Sequence, residues 1–188
     1  MTVSEIYSSL ARHMVKGFMM HEQLSNYFDF LGLQGFKRCQ EYHYFEESCN
    51  YRSLNRYYLN HHDKLIELGN VEDPHVIPDS WYKYTRHDVD NGTKKNAVKN
   101  AFQIWEEWET ETKKVYESHF RELMNLGEVA SAMKIKEFLC DVDEELKCVQ
   151  RKVLELKAID YDLSIIVPMQ DEIHDKYKEK LDNMKYNF

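Results

Sequence analysis

The stretch NVEDPHVIPDSWYKYTRHDVDNG, residues 70–92, decides how the rest of this 188-residue chain is arranged. It holds two of the chain's three prolines, Pro74 and Pro78, together with closely spaced turn-forming residues. It therefore predicts a connection rather than a helix. A connection of about 23 residues is unusually long inside a compact domain and indicates a topological role.

Apolar residues recur at steps of three and four on both sides of this connection, which is the pattern of helices with one buried face. Gly32, Gly35 and Gly127 indicate tight turns between helices, Thr93 is a suitable N-cap, and Pro168 suits a first helical turn. The pattern predicts helices over about residues 3–32, 35–69, 94–126, 128–158 and 168–185, with a crossover over about residues 70–93.

The predicted helices form two hairpins joined by the long crossover. Each of the four main helices is roughly 30 residues, or about 45 Å long, and a long link can run the length of such a bundle. It would let the second and third helices run parallel. The sequence therefore predicts a single all-α domain over residues 1–188: a four-helix bundle with one long crossover between helices 2 and 3, plus a C-terminal fifth helix.

Composition excludes several classes of protein. Hydrophobic residues are 43% and charged residues 31%, as in folded soluble domains. The net charge is −8 and no run of Lys or Arg exceeds two, so a nucleic-acid partner, including a role in DNA protection, is not expected. No apolar stretch reaches the length of a membrane span, and the N-terminus lacks the apolar core of a signal peptide. We therefore expect a cytoplasmic protein that does not enter a membrane.

Acidic side chains interrupt the apolar faces at one level of the predicted bundle. Glu47 follows His43 and precedes Asn50 and Leu54 at helical spacing, and Glu109 lies in a similar setting on the third helix. The fourth helix carries its acids on the inner side, and the first carries a histidine; these are Asp141, Glu145 and His21. Burying unpaired carboxylates costs several kcal/mol, so such a cluster usually holds a cation or a proton.

A plainer interpretation of these residues exists. A glutamate at the edge of an apolar face is often solvated or paired with lysine. Taken singly, the histidines of the predicted helices are expected to be buried, hydrogen-bonded core residues; they are His21, His43, His61 and His119. The oxygen-rich set nevertheless suits a hard or borderline metal such as iron or manganese.

Four segments resemble prokaryotic ferritins, in the correct order. YFDFLGLQGFKRCQEYHYFEESCNYRSLNRYY, residues 27–58, is similar to the end of the first ferritin helix and to the second helix. IPDSW at residues 77–81 is similar to the crossover loop. KNAFQIWEEWE at 99–109 and GEVASAMKIKEFLCDVDEELKCV at 127–149 are similar to the third and fourth helices. The resemblance implies a ferritin-like, di-iron carboxylate fold.

Ferritins bind two irons at a ferroxidase centre and oxidise Fe(II) with dioxygen or peroxide, usually within a hollow shell that stores the product. The resemblance implies a metal role for the acids Glu47, Glu109, Asp141, Glu145 and Glu46. Asn50 stands where the family has its second-helix histidine, and His21 stands at a family tyrosine. His43, one turn before Glu47, could supply a nitrogen. Catalytic residues are not assigned.

Three departures from the family pattern shape the expected function. Met14 replaces the first-helix glutamate, Asn50 the histidine and Val142 the glutamine, and all three are poor iron ligands. We expect an iron-binding protein holding one ion rather than two, with weak or altered ferroxidase activity if it is an enzyme. A manganese site stays open, as does a metal-free bundle acting as an oligomeric scaffold or binding module. We expect a homo-oligomer, dimer or larger, although the long fifth helix puts the usual shell in doubt.

Overall fold

A computed structural model describes residues 1–185 and shows an all-helical chain. Its elements are α1 Val3–Phe30, α2 Gln34–His62, α3 Asn91–Asn125, α4 Val129–Ala158, the short α5 Leu163–Ile166, and α6 Gln170–Lys185, with a 3₁₀ turn at Asp79–Lys83. The structure confirms the predicted all-α bundle with an additional C-terminal helix. None of the helices in the described part is long and apolar enough to cross a membrane.

Several helix ends differ from the sequence-based bounds. The second helix stops at His62, because Asp63 adopts a left-handed backbone conformation at φ 53°. It therefore ends before Gly69, where the apolar pattern predicts the stop. The third helix begins at Asn91, and its N-cap is Asp90, whose carboxylate accepts the backbone N–H of Thr93 at 3.0 Å. Thr93 is thus inside the helix rather than its cap.

Contacts between helices fix their directions. Along α1, His13 contacts Thr112 of α3 and His21 contacts Glu109, so α1 and α3 are antiparallel. The tight turn at Gly32 makes α1 and α2 antiparallel as well. The second and third helices therefore run parallel, as the long crossover predicts.

The crossover runs along the outside of α1, which explains its length. Its successive residues are tied to successive residues of that helix by hydrogen bonds. These bonds are Arg12 Nη1 to the Leu68 carbonyl oxygen at 3.2 Å, Gln23 Nε2 to Asp73 Oδ1 at 2.7 Å, and Arg86 Nη2 to Asp29 Oδ2 at 2.9 Å. The crossover therefore lies against α1 along the length of the bundle.

Two apolar clusters fill the bundle, and a polar layer separates them. The upper cluster surrounds Phe28 and Phe102, and the lower cluster surrounds Leu54 and Leu123. Each of these four side chains is at most 1% exposed. The polar layer lies at mid-height, where the apolar spacing of the helices is interrupted.

The C-terminal helix α6 lies along α2 and runs parallel to it. The backbone N–H of Phe36 donates to Gln170 Oε1 at 3.0 Å, and the rings of Tyr42 and Tyr177 are 5.6 Å apart. Gly35 allows this approach, because a Cβ at that position would lie 2.5 Å from the Gln170 carbonyl oxygen. The helix thereby packs on α2, and a cavity lies between it, α2 and α4.

Candidate metal centre

Glu47 enters the polar layer from α2 at a place where α1 has no side chain. A Cβ on Gly17 would lie 3.4 Å from the Glu47 carboxyl carbon and 3.3 Å from Trp108 Cζ2. Glu47 is 4% exposed, and no hydrogen bond from residues 1–185 reaches its Oε2 atom. Burial, followed by the charges of Glu145 and Glu109, raises the pKa of Glu47 well above its ordinary value. This carboxyl group needs a proton or a cation.

Glu109 and His21 face each other across the same layer, and both are fully buried. Trp105 Nε1 donates to Glu109 Oε1 at 3.0 Å, and His21 Nδ1 donates to the Gln40 side-chain oxygen at 2.7 Å. The lone pair of His21 is then on Nε2, which lies 3.6 Å from Glu109 Oε1, beyond hydrogen-bond length. Two electron-pair donors facing each other in a buried space favour a cation between them.

His43 joins the two remaining acids. Its Nδ1 lies 3.1 Å from Glu46 Oε2 and 3.3 Å from Glu145 Oε1, and one ligand atom from each residue falls within 4.8 Å of the others. The His43 ring stacks on His21 with centroids 5.4 Å apart. The Tyr42 hydroxyl donates to Glu46. We call Glu47, Glu109, Glu145, His21 and His43 the central cluster, with Glu46 at its edge.

The charges of the central cluster are strongly coupled. Burial raises the pKa of Glu109 to about 7; it also raises that of Glu145 to about 7, with a contribution from Glu109. Burial and then His43 lower the pKa of His21 to about 4. Burial opposes the charge on His43, but Glu145 and its hydrogen bonds raise the pKa overall. The cluster therefore retains protons at neutral pH that a metal cation could displace.

Asp141 and Asn50 lie outside this buried group. Asp141 is exposed and Asn50 half-buried, and both line a cavity of roughly 370 Å³ between α2, α4 and α6. Glu46, Glu145 and His43 line the same cavity, which opens the central cluster towards the surface. The structure thus places Asp141 and Asn50 on the approach to the buried acids.

Gln40 and Trp105 are part of the site although the sequence pattern does not select them as such. Gln40 is 1% exposed and sets the tautomer of His21, whereas Trp105 orients Glu109. The spacing of Gln40 three residues before His43 could have indicated Gln40, since it places both on one helical face. Trp105 precedes Glu109 by four residues, which is equally compatible with plain core packing.

The residues present include donors that suit a metal cation. The unsatisfied Glu47 oxygen and the opposed His21 and Glu109 atoms are suitable donors, and Glu145 lies beside them. Met14 and Val142 are buried among apolar side chains of the lower cluster and add no oxygen donor. The donor set thus has acids and imidazoles in the range that iron accepts.

No protein-family model matches the chain, and no curated protein matches it in sequence. Solved structures do match in shape. An engineered closed form of the Archaeoglobus fulgidus ferritin superposes with a TM-score of 0.75 and 18% identity, over 93% of this chain and 96% of that chain. An open-pore ferritin from the same hyperthermophilic archaeon gives 0.74 and 18%, over 90% and 93%.

A PmFTN variant whose crystals were soaked in iron gives a TM-score of 0.73 at 11% identity, over 89% of this chain and 96% of that chain. At identities this low, the structural likeness defines the fold but not the activity. The near-complete coverage on both sides, with the parallel second and third helices and the crossover along α1, shows that the chain has the ferritin-like fold.

Proposed function

We propose that this chain is a ferritin-like iron-binding protein whose central cluster takes up Fe(II) as substrate. The observation that carries the proposal is the opposition of His21 Nε2 and Glu109 Oε1 at 3.6 Å, both fully buried, beside an unsatisfied Glu47 carboxyl oxygen. A cation between His21 and Glu109 would satisfy both atoms at once, and the charge of Glu109 also acts on Glu47. The ferritin-like fold adds support, since iron is the cargo of ferritins.

The chain's own residues divide the work of the proposed site. Glu109 and His21 would bind the ion, the nearby carboxyl groups of Glu47 and Glu145 would add negative charge, and Gln40 would hold the His21 ring. The carboxyl groups with pKa values of about 7, on Glu109 and Glu145, would release protons as the ion enters. The four acids that line the cavity outnumber its two lysines, Lys176 and Lys180, so the cavity would attract the incoming cation. Oxidation to Fe(III) would transfer one electron to dioxygen or peroxide.

Anaerobic Fe(II) binding followed by exposure to air tests this function. We expect wild-type protein to bind about one Fe(II) per chain and to oxidise it faster than buffer. Glu109→Gln should weaken Fe(II) binding at least tenfold, because it removes a charge from the buried donor set. The matched control is Glu111→Gln on the same helix, whose carboxyl group is solvent-exposed and should be dispensable.

The result that would contradict the proposal is Fe(II) binding that is absent in wild type or unchanged in Glu109→Gln. Binding without oxidation would limit the protein to storage or carriage of iron. Replacing Fe(II) by Mn(II) in the same titration measures the preference between the two metals. Sedimentation of the loaded protein measures the expected homo-oligomer and whether it forms a shell.

A metal-free bundle acting as a scaffold or binding module is the second function that an observation favours. His43 already pairs with Glu46 and Glu145, so protons and one imidazolium can satisfy most of the buried acids without iron. If this alternative holds, added metal does not change the melting temperature of the wild-type protein. It then changes the melting temperature of Glu47→Gln and Glu109→Gln no more than that of wild type. An iron-dependent rise in the wild-type melting temperature that both variants lose would exclude it.

A further inference from the structure

A second group of metal-ligating side chains lies at the lower end of the bundle, far along α2 from the central cluster. His61 and His62 end α2, and Glu128 precedes α4. One ligand atom from each of the three residues lies within 4.8 Å of the others. We call these three residues the end cluster. His61 is exposed rather than buried as the sequence suggests, so the cluster is open to solvent.

Neighbouring side chains hold the end cluster in place. The hydroxyl of Ser131, which is fully buried, lies 3.1 Å from His62 Nε2 and 3.5 Å from Glu128 Oε2, and so fixes the ring relative to the carboxylate. Tyr57 stacks on the His61 ring with centroids 5.2 Å apart and planes 23° from parallel. Rings that are oriented before a metal arrives lose little freedom when they bind it.

Aromatic packing on His62 completes this arrangement. Its ring lies 4.8 Å from that of Tyr58 and 5.5 Å from that of Tyr7, and both tyrosines are buried. The two histidine rings are themselves nearly perpendicular, at 89°, with centroids 4.8 Å apart. Perpendicular rings can present their nitrogens to one point from two directions.

We infer that the end cluster is a binding site for a divalent transition-metal ion of the zinc class, separate from the iron site proposed above. Two imidazoles and one carboxylate are a donor set that Zn²⁺ favours, and three protein ligands leave a coordination position for water. The central cluster is richer in oxygen donors, which suits a harder ion. The two sites should therefore sort metals by donor type.

A metal at the end cluster would join segments distant in the chain. His61 and His62 are at the C-terminus of the second helix, whereas Glu128 belongs to the turn between the third and fourth helices. The ion would thus connect the first helical hairpin to the second at the end opposite the Gly32 turn. It would be reached from solvent without opening the bundle.

Zn²⁺ titration of the full-length protein tests the inference, with calorimetry and thermal unfolding as readouts. We expect His61→Ala, an exposed position that leaves folding intact, to weaken one Zn²⁺ site at least tenfold and to remove a Zn²⁺-dependent rise in melting temperature. Glu128→Gln should do the same. The control His75→Ala removes an exposed imidazole from the crossover and should behave as wild type.

Co²⁺ provides a spectroscopic check, since its visible absorption reports the ligands directly. The end cluster should give a Co²⁺ spectrum that His61→Ala loses and Glu109→Gln keeps. Fe(II) binding should be lost in Glu109→Gln and kept in His61→Ala. An error in the proposal for one site can therefore be detected without affecting the proposal for the other. The inference would be overturned if both His61→Ala and Glu128→Gln kept the wild-type Zn²⁺ affinity, melting temperature and Co²⁺ spectrum.

Discussion

The central cluster and the end cluster use the same kinds of side chain under opposite conditions. His43 is 4% exposed and pairs with two acids, so its charge depends on neighbours within the protein. His61 is exposed and can rely on water. The difference indicates that burial, more than residue type, determines how much the free energy of unfolding falls when a charged partner is removed. Substitutions in either cluster, or on the helix face between them, test this contrast.

The largest expected effect comes from the same substitution made in both clusters. His43→Leu leaves Glu46 and Glu145 without their cation, and breaking such a buried pair typically costs about 3–5 kcal/mol. His61→Leu, at the surface, should change the free energy of unfolding by less than about 0.5 kcal/mol. Urea unfolding of metal-free protein measures both. Equal losses would show that burial does not distinguish the clusters.

A smaller effect concerns pH and the partly buried His13, which stacks on Trp108 and hydrogen-bonds Thr112 at 2.8 Å. Burial, then Lys16 and His119, lower the pKa of His13 to about 4. The unfolded chain takes up this proton near its ordinary pKa of 6.5, before the folded protein does. Stability should therefore fall as the pH drops from 6.5 towards 4.

His13→Gln removes that part of the pH dependence. We expect the free energy of unfolding to vary less between pH 6.5 and pH 4 than in wild type, by about 2 kcal/mol or less. Urea unfolding at several pH values gives the comparison. Parallel curves for the two proteins would show that the histidine is equally solvated in the folded and unfolded states.

A small change in stability is also expected for Gly17→Ala, at the point where α1 faces Glu47. Alanine is favoured over glycine inside a helix by about 1 kcal/mol, which offsets the crowding against Trp108 and Glu47. Stability should stay within about 1 kcal/mol of wild type, whereas Fe(II) affinity should fall because the Glu47 carboxyl group is displaced. Unchanged Fe(II) affinity would show that the position of Glu47 is not set by this glycine.

The fold was predictable because its signals are local and repeated. Helical spacing defines the four long helices, and residues 70–92 require a crossover that the structure finds tied to α1. The end of α2 was less predictable. Apolar residues beyond His62, such as Leu68, keep the expected spacing. The helix nevertheless ends because Asp63 adopts a left-handed backbone conformation, which the spacing of apolar residues does not predict.

The central cluster was predictable in part. Glu47, Glu109, His21 and His43 lie on inward faces by spacing, and all four are buried. Asp141 has comparable spacing but is exposed, at the open cavity between α2, α4 and α6. The end cluster was not predicted, because its residues lie at the end of α2 and the start of α4. Only the tertiary packing of the helices brings these two ends together.

The division of the central cluster between the two hairpins has a kinetic consequence. His21, His43 and Glu47 belong to α1 and α2, whereas Glu109 and Glu145 belong to α3 and α4. Each hairpin can form through contacts near in sequence, and docking of the halves must close the longer loop. An ion shared by both halves would act after that docking. Iron should therefore slow unfolding while leaving the folding rate almost unchanged, making the loaded protein kinetically persistent.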